Sequence, residues 1–241
     1  MRARQRHVNA RHAGAILVLD ARYIDQADNT AVSTWSDRSG SGYDFSQSTG
    51  GSQPTLQTGE VGGSSIVRFD GSSDYLVRSD TGFPTGNYTF ICLSKQNNAL
   101  TFGVSKTVMH YGQSSNGSAL FFIYNEDGNF PNDAWGVSSY ATGVGIANST
   151  GSHIVASATR NSSDYAIWRN GASKTTKNML TNTATQGTNG AAVGSMNGAL
   201  SYASKLDGDI GTIIYAGSEW SDSLRRKFES AVAYSWKIAC S

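Results

Sequence analysis

The side chains able to do chemistry in this chain are few and widely spaced. Cleaving a sugar chain takes two carboxyl groups, one to give a proton and one to attack or to activate water. A strand delivers such a pair as Glu-x-Asp-x-(x)-Glu, because alternate side chains share a face. Only four glutamates occur, Glu60, Glu126, Glu219 and Glu229, and no two can share a strand. Asp207 and Asp209 have the alternate spacing, but they flank a glycine where a strand begins, and turn chemistry accounts for them. There is no Gly-x-Ser-x-Gly elbow, no zinc spacing and no glycine loop between a strand and a helix, which removes the common nucleophile, metal and phosphate chemistries. His110 precedes Tyr111-Gly112 in what reads as a turn, and His153 opens an apolar run. Both read as surface or capping histidines rather than bases. The sequence predicts no catalytic residue and no required cofactor.

Binding chemistry is better supplied. Residues 125–135, Asn-Glu-Asp-Gly-Asn-Phe-Pro-Asn-Asp-Ala-Trp, gather oxygen ligands and aromatic rings in one stretch. Asp127, Asn129, Asn132 and Asp133 are ligand types for Ca2+, and Trp135 offers a stacking surface for a sugar. The regular spacing of a calcium loop is missing, so the stretch also reads as a polar hairpin loop whose Phe130 and Trp135 pack on its own base. Tyr140 and the surroundings of Asp164 offer the same chemistry with fewer groups. At the other end, residues 1–14 carry Arg2, Arg4, Arg6 and Arg11 with His7 and His12 and little that is apolar. Such a basic arm can order against an acidic partner, and it reads as well as a ragged terminus.

The frame that must hold these groups shows in the composition. The chain has 241 residues, enough for one sizeable core, with 27 Gly, 11 Tyr, 5 Trp, only 3 Pro and a charged fraction of 15%. This is the make-up of an all-β protein with many turns and a surface of hydroxyls and amides. A net charge of +1 argues against bulk binding of nucleic acid or membrane by the folded part. No apolar run is long enough to span a bilayer, and the apolar run at 15–19 is too short for a signal peptide. Cys92 sits in an apolar run and Cys240 is penultimate; a buried thiol and a free tail thiol are expected.

Apolar runs and period-2 alternation mark strands at 15–19, 66–69, 88–93, 120–124, 153–159 and 165–168, the last two read as a hairpin with the turn Asn170-Gly171, a pair suited to type I′. Residues 174–190 are Thr- and Asn-rich and read as a loop or ragged edge. From Asp207 a strand with apolar groups on both faces runs to Tyr215. Ser221 then caps a helix with Asp222 in its first turn. Leu224, Phe228, Val232 and Trp236 form its apolar stripe, and Arg225, Arg226, Lys227 and Glu229 point elsewhere.

Several of these motifs, in this order, resemble the laminin-G-like, concanavalin A-type jelly rolls of phage and bacterial surface proteins. The carriers are Leu17-x-Leu19-Asp20-Ala21, Trp35-x-Asp37-x-Ser39-Gly40, Phe69-Asp70-Gly71-x-x-Asp74-Tyr75-Leu76, Asn170-Gly171, Val193-Gly194, and Asp207-Gly208-x-Ile210 leading to Ser221-Asp222-x-x-Arg225. The match spans residues 15–238 and departs at 216–220, where the family has a shorter turn with Arg and Leu. It implies an all-β, two-sheet antiparallel sandwich over residues 15–241 with one C-terminal helix, preceded by the basic arm. The expected function is a non-catalytic structural protein of a phage virion, a capsid decoration or tail-associated protein, anchored by Arg2, Arg4, Arg6 and Arg11 to an acidic protein lattice. A homo-oligomer would suit that setting. The alternative is a carbohydrate-binding adhesin using Asp127, Asn129, Asn132, Asp133 and Trp135, with or without Ca2+. A glycoside hydrolase ranks behind both on the carboxylate count.

Overall fold

The runs of alternating side chains become antiparallel strands. In chain order these are β1 (Ala15–Asp20), β2 (Thr34–Trp35), β3 (Phe45–Ser46), β4 (Thr55–Val61), β5 (Ser64–Asp70), β6 (Leu76–Arg78), β7 (Tyr88–Gln96) and β8 (Val104–Gln113). There follow β9 (Ser118–Glu126), β10 (Ala134–Ser139), β11 (Thr142–Ala147), β12 (Ile154–Asn161), β13 (Asp164–Arg169), β14 (Ser173–Asn178), β15 (Ala191–Val193) and β16 (Asp207–Ala216). A helix, α1 (Asp222–Ser235), closes the chain. The computed structural model describes residues 10, 13–78, 83, 86–100, 104–113, 118–126, 134–139, 142–147, 150–161, 164–171, 173–178, 190–196 and 204–240.

One sheet has the order β14-β13-β12-β7-β16-β5-β4, with β1 also paired to β16; the other has the order β11-β10-β9-β8-β15-β6-β3-β2. The expected two-sheet sandwich is what forms. Val67, Phe69, Phe90, Cys92, Ile213 and Tyr215 of the first sheet meet Leu76, Met109, Tyr111, Phe122, Tyr124 and Val193 of the second. Polar pairs cross this core. The hydroxyls of Tyr111 and Tyr215 lie 2.7 Å apart, and those of Ser94 and Tyr124 also 2.7 Å.

A second apolar layer covers the outer face of the first sheet. There Ile91, Leu93, Val155, Ile214 and Ala216 pack against Phe228, Val232, Ala233 and Trp236 of α1. Ser221 caps the helix as expected, its hydroxyl accepting from the Leu224 amide at 3.3 Å. Ala10 and Ala13 join the same layer. Arg2, Arg4, Arg6 and Arg11 lie outside the described residues. Among the described residues no helix is long and apolar enough to cross a membrane. Both cysteines are free thiols, Cys92 buried and Cys240 half-buried.

Four sequence expectations need correcting. Arg225 and Glu229 do not point to solvent: both are buried beneath the helix, because they pair with each other. His110 is not in a turn. Strand β8 runs on through Gly112, which pairs with Ala119, and His110 is fully buried within it; burial pushes its pKa down to about 4. Asn170-Gly171, with φ of 49° and 80°, joins β13 to β14 rather than closing the β12–β13 hairpin. Of the stretch read as a loop or ragged edge, residues 174–178 belong to β14, the edge strand of the first sheet.

Candidate functional site

The β12–β13 hairpin turns one row of side chains outward, toward the start of α1. Ser157 stands opposite Trp168 and Thr159 opposite Ala166, and directly opposed residues share a face. The connection from β16 to α1 passes over this row. It is held by a pair of bonds to one side chain: the Trp220 amide donates to the Thr89 hydroxyl at 2.8 Å, and that hydroxyl donates to the Ser218 carbonyl at 3.0 Å. The Trp220 ring packs on Phe228, with centroids 4.6 Å apart.

Hairpin and connection enclose an open pocket of about 280 Å³, walled by Thr159, Ala166 and Trp168 on one side and by Glu219, Trp220 and Asp222 with the capping Ser221 on the other. Its base is rigid. The Arg225 guanidinium lies over the Trp168 ring, its carbon 3.7 Å from the centroid. Arg225 also pairs with Glu229, meets the Ser157 hydroxyl at 3.5 Å and reaches Asp222 at 3.5 Å, while Ser157 donates to Glu229. Glu219 and Asp222 stand at the solvent side, the Asp222 side chain 66% exposed. The pocket offers indole edges, two hydroxyls and two carboxylates on a fixed floor, which suits a small polyhydroxylated ligand.

A second charged cluster, on the same outer face, is closed. Asp209 is fully buried and accepts from Arg68 at 2.8 Å and 3.3 Å, with Lys95 at 2.7 Å and His153 at 3.3 Å. Burial pushes its carboxyl up, but the groups from His153, Arg68 and Lys95 outweigh that and hold it well below the usual carboxylate range. Asp207 accepts from the side-chain amides of Asn97 at 2.9 Å and Asn98 at 2.5 Å. The two aspartates of alternate spacing therefore tie strands together.

Asp127, Asn129, Asn132 and Asp133 lie outside the described residues, as does Tyr140. Their frame is the β9–β10 hairpin, in which Asn125 pairs with Ala134. Trp135 belongs to β10 rather than to the loop, and the pairing sets position 135 opposite Tyr124 and Ile146, two residues of the inter-sheet core. Asp164 opens β13, on the face that carries Ala166 and Trp168. Among the described residues no group of three or more His, Cys, Asp or Glu side chains is placed to hold a metal ion. The pocket residues themselves escaped the sequence reading. The signal for Glu219 and Trp220 was the departure from the family pattern at 216–220.

No protein-family model matches the chain, and no curated protein matches it. Solved structures do. Domain 4 of AbnA, an extracellular GH43 arabinanase from Geobacillus stearothermophilus, solved with arabinotriose, superposes with a TM-score of 0.64 at 13% identity, over 90% of this chain and 98% of that one. An arabinofuranosidase complexed with arabinofuranosyl-α-1,2-xylobiose gives 0.64 at 12% identity, over 95% of this chain and 64% of that one. The binding domain of botulinum neurotoxin serotype D gives 0.59 at 11% identity, over 92% of this chain and 53% of that one. What is shared is the β-sandwich. The chain spans nearly the whole of the arabinanase domain, but less than two thirds of the other two.

Proposed function

We propose that this chain is a carbohydrate-binding β-sandwich, that its sugar site is the pocket between the β12–β13 hairpin and the start of α1, and that it holds its ligand without cleaving it. The observation that carries the reading is the convergence of Trp168 and Trp220 with hydroxyl and carboxylate groups around one 280 Å³ space. A pyranose or furanose ring has apolar C–H surfaces that pack on indoles, and a rim of hydroxyls that needs acceptors and donors. Because Arg225 and Phe228 fix the two rings, little side-chain freedom is lost on binding. The sugar ligands named for the arabinanase domain and the arabinofuranosidase support the reading by analogy of fold. Against cleavage stands the setting of Glu219 and Asp222. Both are exposed, whereas the acid of a glycosidase pair depends on an apolar surrounding.

The test is an oligosaccharide array with the full chain, followed by titration calorimetry on any hit. Binding that Trp168→Phe weakens about tenfold, at a temperature where the variant is fully folded, supports the reading. Silence across the array at millimolar sugar rejects it.

We also propose a setting, a phage virion surface, for which the support is the resemblance of the motifs across residues 15–238 to sandwiches of phage and bacterial surface proteins. Arg2, Arg4, Arg6 and Arg11 would be the groups offered to an acidic capsid or tail protein. Deleting residues 1–9 should release the protein from particles; an unchanged copy number would reject the anchor.

A further inference from the structure

We propose that the sugar taken by this pocket carries a free ammonium group, so that the ligand class is a glycan containing a de-N-acetylated amino sugar. The proposal rests on the reading of the pocket as a sugar site and goes on to the sign of the ligand's charge. Among the described residues, the charged ones that line the pocket are Glu219 and Asp222, both carboxylates. Asp164 adds a third carboxylate on the same face of β13, two residues from Ala166. Against these stand Arg225, under Trp168, which pairs with Glu229 and reaches Asp222 at 3.5 Å, the exposed Arg226 one turn on from Asp222, and Lys174 of β14, in register with Trp168. With Glu229 counted among the carboxylates, the balance among the described residues is negative by one charge.

The helix start would ordinarily favour an anion. Here that preference is already met from within the chain: Ser221 accepts from the Leu224 amide, and Asp222 supplies a carboxylate to the first turn. What remains for a ligand is a pair of acceptor groups beside two indole edges, which offer apolar contact to its C–H surfaces. An ammonium on the sugar gains charge-assisted hydrogen bonds from Glu219 or Asp222. An acetamido group gains none of that, and a sugar acid is repelled.

The experiment is calorimetry on the full chain with glucosamine oligomers and with N-acetylglucosamine oligomers of the same length, at low salt and about pH 6, where an amine of this kind is charged. The expected result is about 3- to 10-fold tighter binding of the free amine. Glu219→Gln should close most of that gap, as should raising the salt or the pH to about 9. In the variant the N-acetylated oligomer should lose less affinity than the free amine. Equal binding of both oligomers overturns the ammonium proposal and leaves the sugar site standing. A gap that Glu219→Gln does not change overturns it too, since the amine would then be read elsewhere. An oligolysine peptide that binds as tightly as the amino sugar overturns it in favour of a general cation site. If neither oligomer binds and the wider array is silent, the sugar reading falls, and this proposal with it.

Discussion

The guanidinium of Arg225 lies 3.7 Å above the ring of Trp168, sealed between helix and sheet, and the same side chain pairs with Glu229 one helical turn on. Neither residue of the pair reaches solvent. Taking two charges out of water costs much of what their attraction returns, so the pair itself adds little net stability. Its worth is positional: it holds the indole that forms one wall of the pocket.

Removing one partner should therefore hurt far more than removing both. Glu229→Gln leaves a buried, half-satisfied guanidinium and should cost about 3–5 kcal/mol. The double change Arg225→Met with Glu229→Leu should come within about 1–2 kcal/mol of the native protein. Urea unfolding of the three chains measures both numbers. A double variant as weak as the single would show that the pair stabilises the seam directly.

Asp209 predicts the acid limb of stability. Its carboxyl titrates below the usual range in the fold, so its contribution is complete above the unfolded value near pH 4 and is lost as pH falls below it. Asp209→Asn should cost about 2–4 kcal/mol at neutral pH, because Arg68 and Lys95 lose their shared acceptor. That deficit should shrink on acidification. Melting temperatures of both proteins across pH check this, and parallel curves would refute it.

Asp74 has the opposite sign. Burial, and next the charge of Asp70, push its pKa up to about 6. The fold therefore holds that proton more tightly than the unfolded chain. The stability it brings is complete below about pH 4 and is lost as pH rises through about 6. Asp74→Asn keeps an acceptor for the Asp70 amide, now met at 3.0 Å, and removes the charge. It should raise stability by about 1–2 kcal/mol at neutral pH and by nothing near pH 4. A loss at neutral pH would show that Lys205 matters more than Asp70.

Gly208 tests the closing strand. A Cβ there would lie 1.9 Å from the Lys95 carbonyl oxygen, so Gly208→Ala must force β16 away from β7. The expected cost is about 3 kcal/mol or more, with the loss of amide-exchange protection concentrated on those two strands. Uniform loss of protection would argue against a local clash.

Much of this frame was legible because its signals are local. Alternation at 88–93 and 207–215 marked two central strands, and Ser221-Asp222 marked the helix start. Val67 and Phe69 were assigned inward by period alone, and both are fully buried. What was not legible depends on residues distant in the chain. The stripe sets Arg225 and Glu229 on another side of the helix and does not show that they are buried; the Ser157 hydroxyl that meets them lies 68 and 72 positions earlier. His110 was put in a turn on the strength of Tyr111-Gly112, yet pairing with β9 carries the strand through. The pocket was invisible for the same reason, since each wall is ordinary and only the packing of connection on hairpin makes a cavity.

The hydroxyl pairs Tyr111–Tyr215 and Ser94–Tyr124 have a mechanical consequence. Each links a strand of one layer to a strand of the other, and shifting one layer over the other by a single pleat would part both pairs, at about 0.5–1.5 kcal/mol for each bond lost. Greasy surfaces alone would tolerate such slippage. These two links act as dowels, so the layers keep a single alignment, and the platform beneath α1 inherits that fixity.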